Sequence, residues 1–306
     1  HAMVGMTPGQ AMPDRPLDTW TPVALQAAEL GVDELIWFVE GSQRAHIGRF
    51  CLEQAASAAS IPELDVSIAL GLPRTRLERD WLEVIELWCR AATTNDGIAE
   101  IDGRPIVWTY QAAAFSLDEW RAFIRKLHAR GCRPYLIADM YAFAFTRPAE
   151  FAEAVDEWAE VFDNLYMFSD HPFAGVEVLQ RAVMRAKEAG KKPMPLIGTI
   201  GGTGGYWRWG NDHQSPSSQL YNGTGDYVET WKRIIESKST DWIHIATWND
   251  YLEHTMNEPT RNTSGVYGEL LRIHGSAFKG VDASRPPAYW ITAPAELRNG
   301  PGGLNE

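Results

Sequence analysis

Eight short apolar runs, each followed by a stretch of helical periodicity, limit this chain to a small set of folds. The runs are residues 2–5, 34–39, 65–70, 105–110, 134–139, 164–169, 194–200 and 242–247. They are continuous rather than alternating, as in strands buried on both faces of a parallel sheet. Helices are predicted over 21–30, 49–60, 79–92, 116–130, 148–161, 174–190, 226–237 and 264–274. Trp81, Val84, Ile85 and Trp88 fall at three- and four-residue steps, the stripe of a helix packed on a core. Ser116 and Glu119 have the spacing of a capping box, and Gly31 and Gly131 sit where helices stop. Residues 98–104 predict a small hairpin turning at Asp102 and Gly103.

Strands alternating with helices build parallel βαβ units. Two α/β architectures satisfy that pattern, a closed (β/α)8 TIM barrel and an open doubly wound sheet. Eight strands favour the barrel. So does the absence of a glycine-rich fingerprint after the first strand, where a dinucleotide fold carries one. A chain of 306 residues, 45% hydrophobic and 22% charged, is within the range of one such barrel. Residues 1–283 are therefore read as a single catalytic-type domain, and the Pro- and Gly-rich stretch 284–306 as a strap or linker.

A formal net charge of −12 argues against nucleic acid or an anionic membrane as a partner. No apolar run approaches the roughly 18 residues of a spanning helix. Cys51, Cys89 and Cys132 include no C-x-x-C pair and read as small core residues, with neither zinc knuckle nor disulfide framework. Asp170 with His171 and Asp212 with His213 are the Asp-His pairs. Neither has the spacing of a zinc or calcium site, so no metal or other cofactor is expected. No G-x-S-x-G elbow is present for a serine hydrolase.

In a (β/α)8 barrel the chemistry sits at the C-terminal ends of the strands. Polar residues gather there: Glu40, Tyr110, Gln111, Asp139, Asp170, and Asn249 with Asp250. Singly, each is as well explained as a helix cap or a loop hydrogen bond. The loop after the seventh run is long and glycine-rich and carries Tyr206, Trp207, Arg208 and Trp209. It lacks the Gly-Lys-Ser/Thr ending of a phosphate cradle. Its aromatics would stack on flat sugar faces, and Arg208 would bond hydroxyls. The eighth run ends in Trp248, Asn249, Asp250, Tyr251, Leu252 and Glu253. If the chain turns helically there, Asp250 and Glu253 share one side of the turn. The same pair also fits a capping box.

Trp248 to Glu253, following Trp242 to Thr247, resembles the signature of glycoside hydrolase family 71, the α-1,3-glucanases or mutanases. Related family 99, the endo-α-mannosidases and endo-α-mannanases, has a similar acidic pair three residues apart. Residues 102–110 resemble the Asp-Gly-Lys-Pro strand of those enzymes, and residues 1–5 their opening strand, which carries a histidine, here His1. Thr224 to Trp231 resembles the helix before their last strand. The resemblance implies a (β/α)8 barrel hydrolysing α-glycosidic bonds inside a polysaccharide or oligosaccharide, with a secreted or periplasmic location suspected. It implies Asp250 and Glu253 as the catalytic pair, Glu253 as general acid and Asp250 as general base. Trp248 would wall the acid and raise its pKa. Family 71 implies inversion, and family 99 implies retention with the sugar's own 2-hydroxyl as nucleophile. The sequence departs from the family 71 pattern at Leu252, where glycine is usual, and at His254. Those departures motivate two alternatives, a mannanase-like enzyme and a carbohydrate-binding barrel without turnover.

Overall fold

The strands are β1 (Ala2–Met6), β2 (Glu34–Glu40), β3 (Asp65–Gly71), β4 (Glu100–Ile101), β5 (Arg104–Tyr110), β6 (Tyr135–Asp139), β7 (Asn164–Tyr166), β8 (Ile197–Ile200) and β9 (Trp242–Ala246). The helices are α1 (Trp20–Glu29), α2 (Leu82–Ala92), α3 (Leu117–Ala129), α4 (Tyr141–Thr146), α5 (Phe151–Val161), α6 (Phe173–Glu188), α7 (Gly225–Ser237) and α8 (Val266–Lys279). This computed structural model describes residues 2–6, 20–40, 59, 61, 62, 64–72, 75–147, 149–168, 173–188, 195–200, 225–249, 257–259 and 265–282. The expected helix over 49–60 and the segment 284–306 lie outside the described residues.

The parallel ladder runs β7-β6-β5-β3-β2-β1-β9-β8, and β4 pairs with β5 as the small antiparallel hairpin. Between the two ends of that ladder, side chains bridge the gap. Asn164 Nδ2 donates to the Pro195 carbonyl at 2.9 Å, and Thr199 Oγ1 donates to the Met167 carbonyl at 2.6 Å. The architecture is the (β/α)8 barrel, its outer layer made of the helices.

Alternation along the strands sorts the side chains. Leu35, Trp37 and Val39, with Val66, Ile68 and Leu70, join the helices in the outer core. Ile36, Ala69, Ile106, Trp108, Ile137, Tyr166 and Ile197 fill the interior. At the N-terminal ends of the strands Arg104 staples three segments. Its guanidinium bonds Asp163 Oδ1 at 2.9 Å and the carbonyls of Arg133 and Pro134 at 3.2 and 2.6 Å.

Local chemistry explains where the elements depart from expectation. The capping box of Ser116 and Glu119 forms as the spacing predicts. The helix expected from residue 79 opens instead as a π-turn, Leu77–Trp81. There the buried Trp81 indole reaches back to Thr75 Oγ1 at 2.9 Å. Strand β7 stops at Tyr166 because the Phe168 amide turns to the Asp139 carboxylate.

The cysteines also differ from expectation. Cys89, late in α2, is disulfide-bonded to Cys132, which precedes β6, with Cα atoms 6.0 Å apart and a sequence separation of 43. Pairing across that span leaves no short-range motif to read. Cys51 lies outside the described residues. Among the described residues no helix is long and apolar enough to cross a membrane.

A loop of this size, once cross-linked, stabilises a fold by about 4 kcal/mol in the chain-entropy account. Cys89→Ser is expected to lose most of that. Urea denaturation with and without reductant checks it, and reductant should leave the variant unchanged.

Candidate functional site

The C-terminal rim of the barrel is held by one carboxylate. Asp139, at the end of β6, accepts from the amides of Tyr141 and Phe168 at 2.9 Å each and of Gln111 at 3.0 Å. Gln111 takes a left-handed backbone, φ 56°, which aims its N–H at this carboxylate. Asp139 is 0% exposed. Burial pushes its pKa up to about 6, and the three amide bonds oppose that rise. It had been expected at the substrate. It lies beneath the rim, with its carboxylate engaged by backbone amides that would otherwise be unpaired.

Above it lies an aromatic half-ring. Tyr110 stands between Phe38 and Phe168, with ring centroids 5.6 and 4.8 Å away, both edge-to-face. Gly71 makes room for this, since a Cβ there would come within 2.9 Å of the Phe38 ring. Tyr110, expected at the mouth, is at the mouth and half-buried. Glu40 ends β2 in register with Gly71, which pairs in turn with Tyr110 on β5, so these three positions share one row of the rim.

Below the half-ring the interior holds polar groups that the sequence reading did not single out. Glu34 opens β2 and is buried. Ser67 Oγ donates to its carboxylate, and Trp108 Nε1 lies 3.4 Å from the same oxygen and 3.0 Å from Ser67 Oγ. Burial pushes Glu34 up to about 7, against the lowering effect of these bonds. His244 on β9 is 2% exposed and packs against Tyr166, Trp108 and Phe168 at 4.9, 5.8 and 5.8 Å. Burial drives its pKa down to about 3, so the ring is neutral. A signal was present for it: Trp242, His244 and Ala246 alternate with Ile243 and Ile245, placing the histidine on the inward face.

Strand β9 passes into a pinned loop. The Ala246–Thr247 peptide is cis. The Asn257 amide donates to the carbonyls of Thr247 and Trp248, both at 3.0 Å, and the Glu258 amide donates to Trp248 at 2.9 Å. Asn257 Nδ2 adds a bond to the Thr247 carbonyl at 2.7 Å, and Tyr227 of α7 donates to Asn257 Oδ1 at 2.7 Å. The chain therefore leaves at Trp248 and returns at Asn257 to the same point. Asn249 is buried at the start of this loop. Asp250 and Glu253 belong to it and lie outside the described residues. Trp248 is 0% exposed and joins the outer core, so its indole does not wall an open groove as expected.

His1, Asp170, Tyr206, Trp207, Arg208 and Trp209 also lie outside the described residues, as do His171, Asp212 and His213. Among the described residues no group of three His, Cys, Asp or Glu side chains is placed to hold a metal ion.

No protein-family model matches the chain. A search among curated proteins finds no match either. Solved structures do match. The GH99 endo-alpha-mannosidase from Bacteroides thetaiotaomicron, in complex with BIS-TRIS-propane, aligns over 92% of this chain and 97% of its own, with a TM-score of 0.65 and 14% identity. A second structure of that enzyme aligns over 87% and 80%, with a TM-score of 0.62 and 14% identity. A glycoside hydrolase-like protein aligns over 90% and 93%, with a TM-score of 0.56 and 11% identity. At such identities the likeness is one of fold.

Two outcomes follow from the buried groups. In the fold Glu34 keeps its proton up to about pH 7, whereas the unfolded chain releases it near its ordinary 4.5. The stability this group contributes is complete below about 4.5 and is lost as pH rises through about 7. His244 works in the other direction: its contribution is present above 6.5 and is lost as pH falls towards about 3. Glu34→Gln should remove the first slope, gaining on the order of 3 kcal/mol relative to the parent between pH 4 and 8. Urea titrations across that range measure it. Tyr227→Phe leaves Asn257 Oδ1 without its donor and should cost about 1–3 kcal/mol in the same assay.

Proposed function

We propose that this protein is a glycoside hydrolase acting inside an α-linked polysaccharide, with Glu253 as general acid and Asp250 as general base. The observation that supports it best is the pinned loop. It starts where the last barrel strand ends, on the face where (β/α)8 enzymes carry their chemistry, and it contains both carboxyl groups.

Glycoside cleavage needs one carboxyl protonated, to give a proton to the leaving oxygen, and one ionised. Two carboxyl groups three residues apart on one turn raise each other's proton affinity, which favours keeping one of them protonated. The clamp at Thr247, Trp248 and Asn257 fixes the two points between which the segment carrying the pair runs. The half-ring of Phe38, Tyr110 and Phe168 offers edges and faces to the C–H side of a sugar. Tyr206, Trp207, Arg208, Trp209, Asn249, Glu40 and Asp170 are assigned to substrate binding around it.

For the sugar, the 248–253 signature supports α-1,3-glucan. The structural likeness to an endo-alpha-mannosidase supports α-mannan equally. Reducing-end release from both polymers separates the two. Asp250→Asn and Glu253→Gln should each lower kcat by about 10²- to 10⁴-fold on whichever polymer is cut. Full activity in both variants would remove the assignment, and tight glycan binding with no turnover in the parent would convert it to a binding module.

A further inference from the structure

We propose that a cavity on the outer wall of the barrel, between the π-turn Leu77–Trp81 and helix α3, is an accessory glycan-binding site. It would hold a sugar unit of the same α-linked chain beyond the mouth. This rests on the carbohydrate reading given above and adds a second contact region to it.

The first observation is the cavity itself. Its volume is about 430 Å³, within the roughly 300–1,000 Å³ of small-molecule sites. Leu77, Phe115, Ala122 and Phe123 give it an apolar floor. Phe115 packs edge-to-face with Trp120, ring centroids 6.2 Å apart, and the Trp120 indole donates to the Ala112 carbonyl at 3.0 Å. The ring is therefore positioned before any ligand arrives, which lowers the cost of binding. The opposite wall is the π-turn, a rare element that recurs at functional sites.

The second observation is the rim, which selects the ligand. Lys126 Nζ of α3 donates to Glu78 Oε2 of the π-turn, so one ion pair spans the two walls. Glu119 accepts both Ser116 bonds on Oε2, which leaves Oε1 open among the described residues. Arg76 donates only its backbone N–H, to Asp80 Oδ2 at 2.7 Å, among the described residues. The exposed rim thus sets two cations beside two carboxylates, donors next to acceptors. An anion bound there would meet Glu78 and Glu119, and an ammonium would meet Arg76 and Lys126. A hydroxyl both donates and accepts, so a neutral polyol can use the whole rim. The apolar floor suits the C–H side of a pyranose.

The third observation is position. Gly71, the last residue of β3, is in register with Tyr110, the last residue of β5. Arg76 follows the first by five residues, and Phe115 follows the second by five. At no more than about 3.6 Å per residue, both walls begin within about 18 Å of the mouth. A glycan that leaves the half-ring over the β3–β5 side can reach the cavity within that distance. The occupant is therefore a further unit of the chain held at the mouth.

The test uses protein with ¹³C-labelled leucine methyl groups. It is titrated with the hexasaccharides of α-1,3-glucan and of α-mannan and, as an anionic control, with benzoate. The resonances absent from Leu77→Met identify Leu77 in the cavity floor. One of the hexasaccharides should shift them saturably. Ala122→Trp fills the cavity from a half-buried position on α3. It should weaken that binding roughly tenfold or more with Tm kept, and should raise KM on the matching polymer with kcat unchanged. Arg76→Ala should weaken binding about two- to tenfold, the loss of one hydrogen bond. Leu77 resonances unmoved by both sugars would overturn the site, as would equal affinity in Ala122→Trp or a response to benzoate alone. Saturable binding at Leu77, in a parent that cuts no glycan, would keep the site and remove the hydrolase. Cleavage with Leu77 unmoved and KM indifferent to Ala122→Trp would do the reverse.

Discussion

A parallel barrel leaves backbone amides at the ends of its strands with no strand beyond them to bond. Asp139 answers that for three neighbouring segments at once, taking the amides of Gln111, Tyr141 and Phe168 on two oxygens. The carboxylate sets where β7 ends and how the chain leaves β5 and β6. The aromatic half-ring of Phe38, Tyr110 and Phe168 inherits its placement from those exits. The rim is therefore built from below, by a buried acid engaged with three backbone amides.

The interior follows a related logic. A carboxyl and an imidazole both sit in surroundings that penalise charge: burial raises Glu34 to about 7, so that it holds its proton in mildly acidic solution, and lowers His244 to about 3, so that its ring is neutral.

Much of the frame was legible in the sequence because it depends on local periodicity. The runs at 34–39, 65–70 and 105–110 became strands, and Ser116 with Glu119 became a cap, since those signals reside in neighbouring residues. What was not legible depends on distant partners. An aspartate at a strand's end looks the same in sequence whether it faces a ligand or three amides, and Asp139 faces the amides. Trp248 looked like a groove wall, but the chain's return at Asn257 holds it within the outer core. Cys89 and Cys132 gave no short motif because their pairing spans two different elements. His244 was legible by alternation, yet an apolar run with one histidine reads first as packing.

The junction at Trp248 and Asn257 has a consequence for how such a barrel diversifies. Because departure and return meet at one anchor, the residues between them behave as a cassette. Their length and composition can change while the frame keeps its hydrogen bonds, as a handle can be exchanged on a fixed hinge plate. Substitutions confined to that insert would leave the anchoring bonds at 247, 248, 257 and 258 in place.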